Sequence, residues 1–159
     1  MTLNTQKILI LENIRSAQNV GAMFRTADAI GIDTIILVGY TPAPIDRFGR
    51  PQKDVVKSAL GAEQRVVWKS VPEIVPILET LRADGFQLLA LEQTTDSVDY
   101  KYIVPNERVV LIVGNEVEGV SKEALVRADT VIEIPMRGMK ESLNVSVATG
   151  IALFRLFDR

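Results

Sequence analysis

An α/β fold, with a mainly parallel sheet flanked by helices, is the class this sequence predicts, and three observations carry the prediction. Six short apolar runs alternate along the chain with segments of helical periodicity. The 159 residues are 47% hydrophobic and 24% charged with only 10 Gly and 7 Pro, which is one globular domain with enough chain to bury a core. The longest apolar runs, such as 34–38 and 109–113, are about five residues, far short of the ~20 that span a bilayer. Residues 1–12 lack a basic stretch ahead of an apolar one, so a secretory leader is not expected and the chain reads as soluble and cytoplasmic.

Lys7–Leu11 is the first strand. Residues 17–30 form a helix, because Val20, Phe24, Ala27 and Ile30 recur at three and four residues and Gly31 stops the pattern. Thr34–Val38 is a β-branched second strand. Five of the next thirteen residues, Gly39 to Pro51, are Gly or Pro, which predicts a loop of unusual length. A short helix around 54–60 follows, then a strand over 65–68 and a helix over 71–82, with Pro72 suited to its first turn and Pro76 a weak point. Strands are expected at 86–91, 109–113 and 130–134. Ser121 should cap a short helix running to Val126, and 144–157 should be a helix burying Val147, Ile151 and Phe154 with Ala148 and Ala152.

The sequence contains no Cys and no His. Disulfides, zinc and iron–sulfur sites, thiol nucleophiles and imidazole bases are therefore excluded, and no metal site is expected. Chemistry has to run on carboxylates, hydroxyls, amides, Lys and Arg. The formal charge of −2 is unevenly spread: residues 40–69 carry six basic and three acidic side chains, while 70–159 carry nine and fourteen. Arg47, Arg50, Lys53 and Lys57 fall on or just after the Gly/Pro-rich loop, where they can be ordinary solvated charges or a polyanion contact.

Three segments carry candidate chemistry. In the first, Asn13 to Gly31, Asn19 and Gly21 fall where a strand gives way to a helix, the edge at which open sheets bind ligands. Asn19 could simply cap that helix, and Arg25 could be a surface side chain. In the second, Val109 to Ser121, Gly114 and Gly119 have the spacing of a phosphate loop. Val120 stands where such a loop needs Lys, and Glu116 and Glu118 would repel phosphates, so the comparison fails. In the third, Ile134 to Ala148, a strand ends at Pro135 and a helix starts near Asn144, with Ser142 and Asn144 as capping candidates.

Together and in this order the three segments resemble the motifs of the SpoU/TrmH family of S-adenosylmethionine-dependent RNA ribose 2′-O-methyltransferases, in the SPOUT superfamily. The resemblance runs from Ile8 to Leu156 and includes the Lys57-Ser58-Ala59-Leu60-Gly61-Ala62 stretch. It implies a domain whose C-terminal part threads into a deep trefoil knot, a fold that general topology disfavours, and a homodimer. It implies cofactor contacts at Leu91, Gly114, Ile134, Met136, Ser142 and Leu143. It implies a catalytic group of Arg25, Asn19, Glu116, Ser142 and Asn144, with Glu116 orienting a neighbour. Arg25 is either the base, awkward for a group with a pKa above about 12, or an anchor for an RNA phosphate.

RNA, tRNA in preference to rRNA, is the implied partner, and Arg15, Arg47, Arg50, Lys53 and Lys57 are the candidate contacts. Residues 1–159 are expected to be one domain without an appended RNA-binding segment. A catalytically silent RNA-binding domain of the same fold and a base-methylating relative are the rival readings. Presence of all five catalytic residue types speaks against the first. The Asn19/Arg25 pair and the Ser142-Leu143-Asn144 segment speak against the second.

Overall fold

The structure, a computed structural model, describes residues 5–158; Met1 to Asn4, on which the reading of the leader partly rests, and Arg159 lie outside the described residues. The elements run β1 (Gln6–Glu12), α1 (Ala17–Ile30), β2 (Thr34–Val38), α2 (Lys53–Ala59), β3 (Val67–Val71), α3 (Ile74–Ala83), β4 (Gln87–Leu91), β5 (Val98–Asp99), β6 (Arg108–Val113), α4 (Lys122–Arg127), β7 (Thr130–Glu133) and α5 (Val145–Phe157), with 3₁₀ turns at Ala62–Gln64 and Tyr100–Tyr102. The strands form one sheet in the order β3-β2-β1-β6-β4-β7-β5, and every pairing is parallel. All six expected strands are present. The seventh, β5, has two residues, too few to leave a periodic signature.

Period-two alternation splits the core into two layers. Leu9, Leu11, Ile35, Leu37, Leu89, Leu111 and Val113 pack on one face against Val20, Phe24 and Ala27 of α1, Val55 of α2 and Leu153 of α5. Ile10, Ile36, Leu88, Ala90, Val110 and Ile112 pack on the other against Ile77 and Leu78 of α3 and Ala124 of α4. Strands covered on both faces are why these runs are continuously apolar.

α1 begins at Ser16, whose hydroxyl accepts the Asn19 amide at 3.1 Å, and ends at Gly31 in the left-handed region at φ 79°. Ser121 caps α4 as expected, accepting the Ala124 amide at 3.2 Å. Two local expectations are corrected. The third strand is Val67–Val71 and the following helix starts only at Ile74. Pro72 therefore precedes the helix, while Pro76 is its third residue, where a missing N–H is one that the first turn leaves unpaired anyway. In α5 the buried residues are Thr149, Ala152, Leu153 and Leu156, whereas Val147, Ile151 and Phe154 are exposed. The helix is apolar on both sides, so periodicity could not choose which side faces the core.

α1 and α2 pack closely because residue 21 is Gly: a Cβ there would collide with Ser58 Oγ and the Val55 carbonyl. Ser58 Oγ donates to the Gln18 carbonyl at 3.0 Å. The 57–62 stretch and the first segment are thus two sides of one contact.

Candidate active site

The loops leaving β4, β6 and β7 surround a cavity of about 290 Å³ at the C-terminal edge of the sheet, where open parallel sheets place their ligands. All six residues expected to contact a cofactor, Leu91, Gly114, Ile134, Met136, Ser142 and Leu143, line it. Glu116 and Asn144, expected in the catalytic group, line it too.

The turn after β6 is built around Asn115, which is nearly buried. Its Oδ1 accepts the amides of Val117 and Glu118 at 2.8 Å each, and its Nδ2 donates to the Asn13 carbonyl and the Tyr40 hydroxyl at 2.9 and 2.7 Å. Asn115 and Gly119 exchange backbone hydrogen bonds across the turn at 2.9 and 3.1 Å. A Cβ on Gly114 would strike the backbone of Gly119 and Val120, so only Gly lets the turn fold back on itself. Glu92, at the end of β4, accepts the Val120 amide at 2.9 Å and ties the two loops together.

That turn presents Glu116 to the start of α1. Its carboxylate accepts the amides of Arg15, at 3.0 and 3.2 Å, and Ser16, at 3.1 Å, together with Asn19 Nδ2 at 3.3 Å. Partial burial raises its pKa, but the Arg15 and Ser16 amides and the Asn19 side chain outweigh that and hold the carboxyl below its ordinary value. Asn144 Nδ2 donates in turn to Asn19 Oδ1 at 3.3 Å, while Asn144 Oδ1 accepts the Ser146 and Val147 amides and caps α5. Asn19 is therefore not a helix cap: Ser16 holds that place, which frees the Asn19 amide to bridge Glu116 and Asn144. Three of the five expected catalytic residues form one hydrogen-bonded chain at the cavity mouth, and Ser142 lines the wall beside them.

Arg25 stands apart. It is exposed on α1, six residues beyond Asn19, and its side chain makes no hydrogen bond or ion pair with the described residues. Glu116 bonds Asn19 and the backbone leading into α1, not Arg25. Of the candidate RNA contacts, Arg15 sits in the β1–α1 loop beside Glu116, Arg47 and Arg50 lie on the loop after β2, and Lys53 and Lys57 lie on α2. Lys57 borders a second depression, between α1 and α2, with Ser16, Ala17, Gln18, Asp54 and Ser58.

Sequence reading missed Glu92, Asn115 and Glu12. Glu12, 3% exposed, accepts the Ser121 amide and hydroxyl at 2.9 and 2.7 Å and fixes the start of α4. The available signal was positional: Glu12 and Glu92 each sit at or just past the end of an apolar strand, at the ligand-binding edge.

The cavity's donor set discriminates among ligands. Leu91, Ile134, Met136, Leu143 and Ala148 supply apolar wall, and Glu92, Glu116, Glu118 and Glu133 supply carboxylates, with no Lys or Arg in the lining. Such a site suits a cationic ligand with a flat apolar part and repels a phosphate. No group of His, Cys, Asp or Glu among the described residues is arranged to hold a metal ion.

The model of the SpoU rRNA methylase family matches residues 6–154. The chain belongs to this family. It is 36% identical over 147 residues to the tRNA (guanosine(18)-2′-O)-methyltransferase of Aquifex aeolicus, covering 92% of this chain and 66% of that protein. An AdoMet-bound rRNA methyltransferase from Sinorhizobium meliloti superposes with a TM-score of 0.85 at 33% identity, covering 94% of this chain and 55% of the other. The TrmH/SpoU tRNA-modifying enzyme of A. aeolicus superposes at 0.82 with 32% identity, covering 96% and 76%. The chain thus spans about half to two-thirds of the length of several relatives it matches. The family match and the superpositions agree with the parallel seven-stranded sheet flanked by helices.

Proposed function

We propose that this SpoU-family chain transfers a methyl group from S-adenosylmethionine to a ribose 2′-hydroxyl of structured RNA, with tRNA as the preferred substrate. The observation that carries the proposal is the Glu116–Asn19–Asn144 hydrogen-bonded chain at the mouth of an anionic, apolar-walled cavity. S-Adenosylmethionine, a net cation with a flat adenine, supplies an activated methyl group when bound. Leu91, Ile134, Met136 and Leu143 would flank the adenine, the Gly114 turn would offer backbone groups, and Ser142 would hold the polar end. The relative named as a guanosine-18 ribose methyltransferase supports tRNA.

The residues' task is alignment and removal of a proton from a poor acid. Glu116 and Asn144 fix the Asn19 side-chain amide, and Ser142 lines the cavity beside them. Arg25 acts as an anchor for an RNA phosphate rather than as the base. Its side chain is exposed and its donors have no partner among the described residues, which leaves its fork of N–H groups open to a phosphate. Arg15, Arg47, Arg50, Lys53 and Lys57 extend the cationic surface from the cavity rim along α2.

Residues 5–158 act as one methyltransferase unit, with the region around Leu91, the 114–119 turn and the 134–144 loop forming the trefoil knot around the cofactor. The non-sequential placement of β6, β4 and β7 and their shared cavity support this. The exposed row of Val147, Ile151 and Phe154 on α5 is the surface for a second copy of the chain, and sedimentation tests that homodimer. No described helix is long and apolar enough to cross a membrane, and a tRNA-modifying role puts the work in the cytoplasm.

Incubation with labelled S-adenosylmethionine and total tRNA or rRNA, followed by nucleoside mass spectrometry, tests the reaction. A 2′-O-methylated nucleoside is expected, and its absence from both pools refutes it. Arg25→Ala should lower turnover together with RNA affinity; lost turnover with intact RNA binding refutes the anchoring role. Full activity in Glu116→Gln refutes the orienting role.

A further inference from the structure

The loop between β2 and α2 is more ordered than its Gly and Pro content suggests, and one carboxylate orders it. Asp46 Oδ1 accepts the amides of Phe48 and Arg50 at 2.8 and 3.0 Å, and Oδ2 accepts Arg50 Nε at 3.0 Å. A bridge between Ile45 and Pro51 closes the base of the turn. The Asp46 pKa is lowered, first by the Arg50 amide and then, against the cost of desolvation, by the Phe48 amide and the Arg50 side chain.

This turn holds Phe48 out into solvent at 66% exposure. The guanidinium carbons of Arg47 and Arg50 stand 4.8 and 4.9 Å from the ring centroid. An isolated exposed Phe needs no explanation. One set at a rigid tip between two guanidiniums, with Lys53 and Lys57 following on α2, combines stacking surface with charge. A phosphate would use the cations and ignore the ring, and an apolar partner would use the ring and strand the cations. A nucleobase uses both, because its π-face stacks on aromatic rings and guanidinium planes alike while its backbone meets the cations. The loop also leaves the sheet at the cavity's edge: the hydroxyl of Tyr40, at its start, accepts a hydrogen bond from Nδ2 of Asn115, in the cavity lining, at 2.7 Å.

We infer that Phe48, flanked by Arg47 and Arg50, is a stacking seat for an unpaired base of the RNA strand whose ribose enters the cavity. This rests on the reading of the chain as an RNA-modifying enzyme. It divides the cations by role: Arg47 and Arg50 frame the base, and Lys53 and Lys57 meet phosphates.

The test uses a single-stranded RNA oligomer carrying 2-aminopurine, the duplex of the same sequence, and total tRNA, titrated against the wild-type chain, Phe48→Ala, Phe48→Tyr and a Lys53→Ala/Lys57→Ala variant. Phe48→Ala should bind the single strand about tenfold more weakly, with its salt dependence unchanged and the 2-aminopurine quenching lost. Phe48→Tyr should retain both, the duplex should not distinguish Phe48→Ala from wild type, and the lysine variant should flatten the salt dependence instead. The stacking seat is overturned if Phe48→Ala binds as wild type does, if Phe48→Tyr falls as far as Phe48→Ala, or if Phe48→Ala instead changes the sedimenting mass, which would make Phe48 a contact between copies. A wild-type chain that methylates tRNA while Phe48→Ala is unaffected overturns the seat alone. A wild-type chain that binds no RNA overturns the proposed function with it.

Discussion

The cavity formed after β4, β6 and β7 and the loop after β2 leave the same edge of one sheet, yet they are built by opposite means. The cavity is lined by four carboxylates and no cation, and Asn115, Glu92 and Glu116 tie its walls through backbone amides. The loop hangs Phe48 and Arg50 on a single half-buried carboxylate, Asp46. An anionic slot beside a cationic surface suits two reactants of opposite charge, a cationic donor in the slot and a polyanion outside it. Local segregation of charge thus matters more than the total of −2.

The largest expected effect breaks the cavity alone. Gly114→Val forces a side chain into the Gly119 backbone and should weaken S-adenosylmethionine binding on the order of 100-fold, near 2.7 kcal/mol, by calorimetry. RNA affinity should change far less; equal losses of both ligands would end the division between the two regions.

Next in size, and confined to the other region, Lys53→Ala/Lys57→Ala should lower RNA affinity by about tenfold at low salt and reduce the slope of log affinity against log salt by about 1 per lysine. Cofactor affinity should stay at the wild-type value in the same preparation, and a parallel fall would show the regions to be coupled.

Asn144→Ala removes the cap of α5 and should cost about 1 kcal/mol of stability in denaturant melts. Because Asn144 also holds Asn19, turnover should fall further than that loss of stability accounts for. Turnover that tracks stability alone would leave Asn144 a cap and nothing more.

The smallest effect concerns pH. The folded-state pKa of Glu116 is depressed, so the stability it contributes is present above its ordinary value near 4.5 and lost as pH falls through the folded value. The melting temperatures of wild type and Glu116→Gln should therefore differ at neutral pH and converge between about pH 5 and 3. A gap that persists into acid would mean that packing, not charge, holds Glu116 against Arg15 and Ser16.

By itself the sequence determined the α/β class, the position of nearly every strand and helix, and the chemical inventory. Continuous apolar runs such as Val109–Val113 and capped amphipathic segments such as α1 are local patterns, and local physics suffices to read them. The motifs also named the cavity wall from Leu91 to Leu143, since the family resemblance ties those positions together across the chain. Tertiary structure alone decided what those residues do to one another. Asn19 looked like a cap until Ser16 took that place and Glu116, 97 residues away, took its amide. Arg25 belonged to the same motif, but helical geometry turned it out to solvent. Glu12, Glu92 and Asn115 had no sequence signature beyond their place at strand ends, because their roles are hydrogen bonds to loops that only the parallel sheet brings within reach. On α5, Val147, Ile151 and Phe154 match the apolarity of the buried side. Which face of such a helix meets the core is set by the surfaces packed against it, and one-dimensional periodicity does not contain that information.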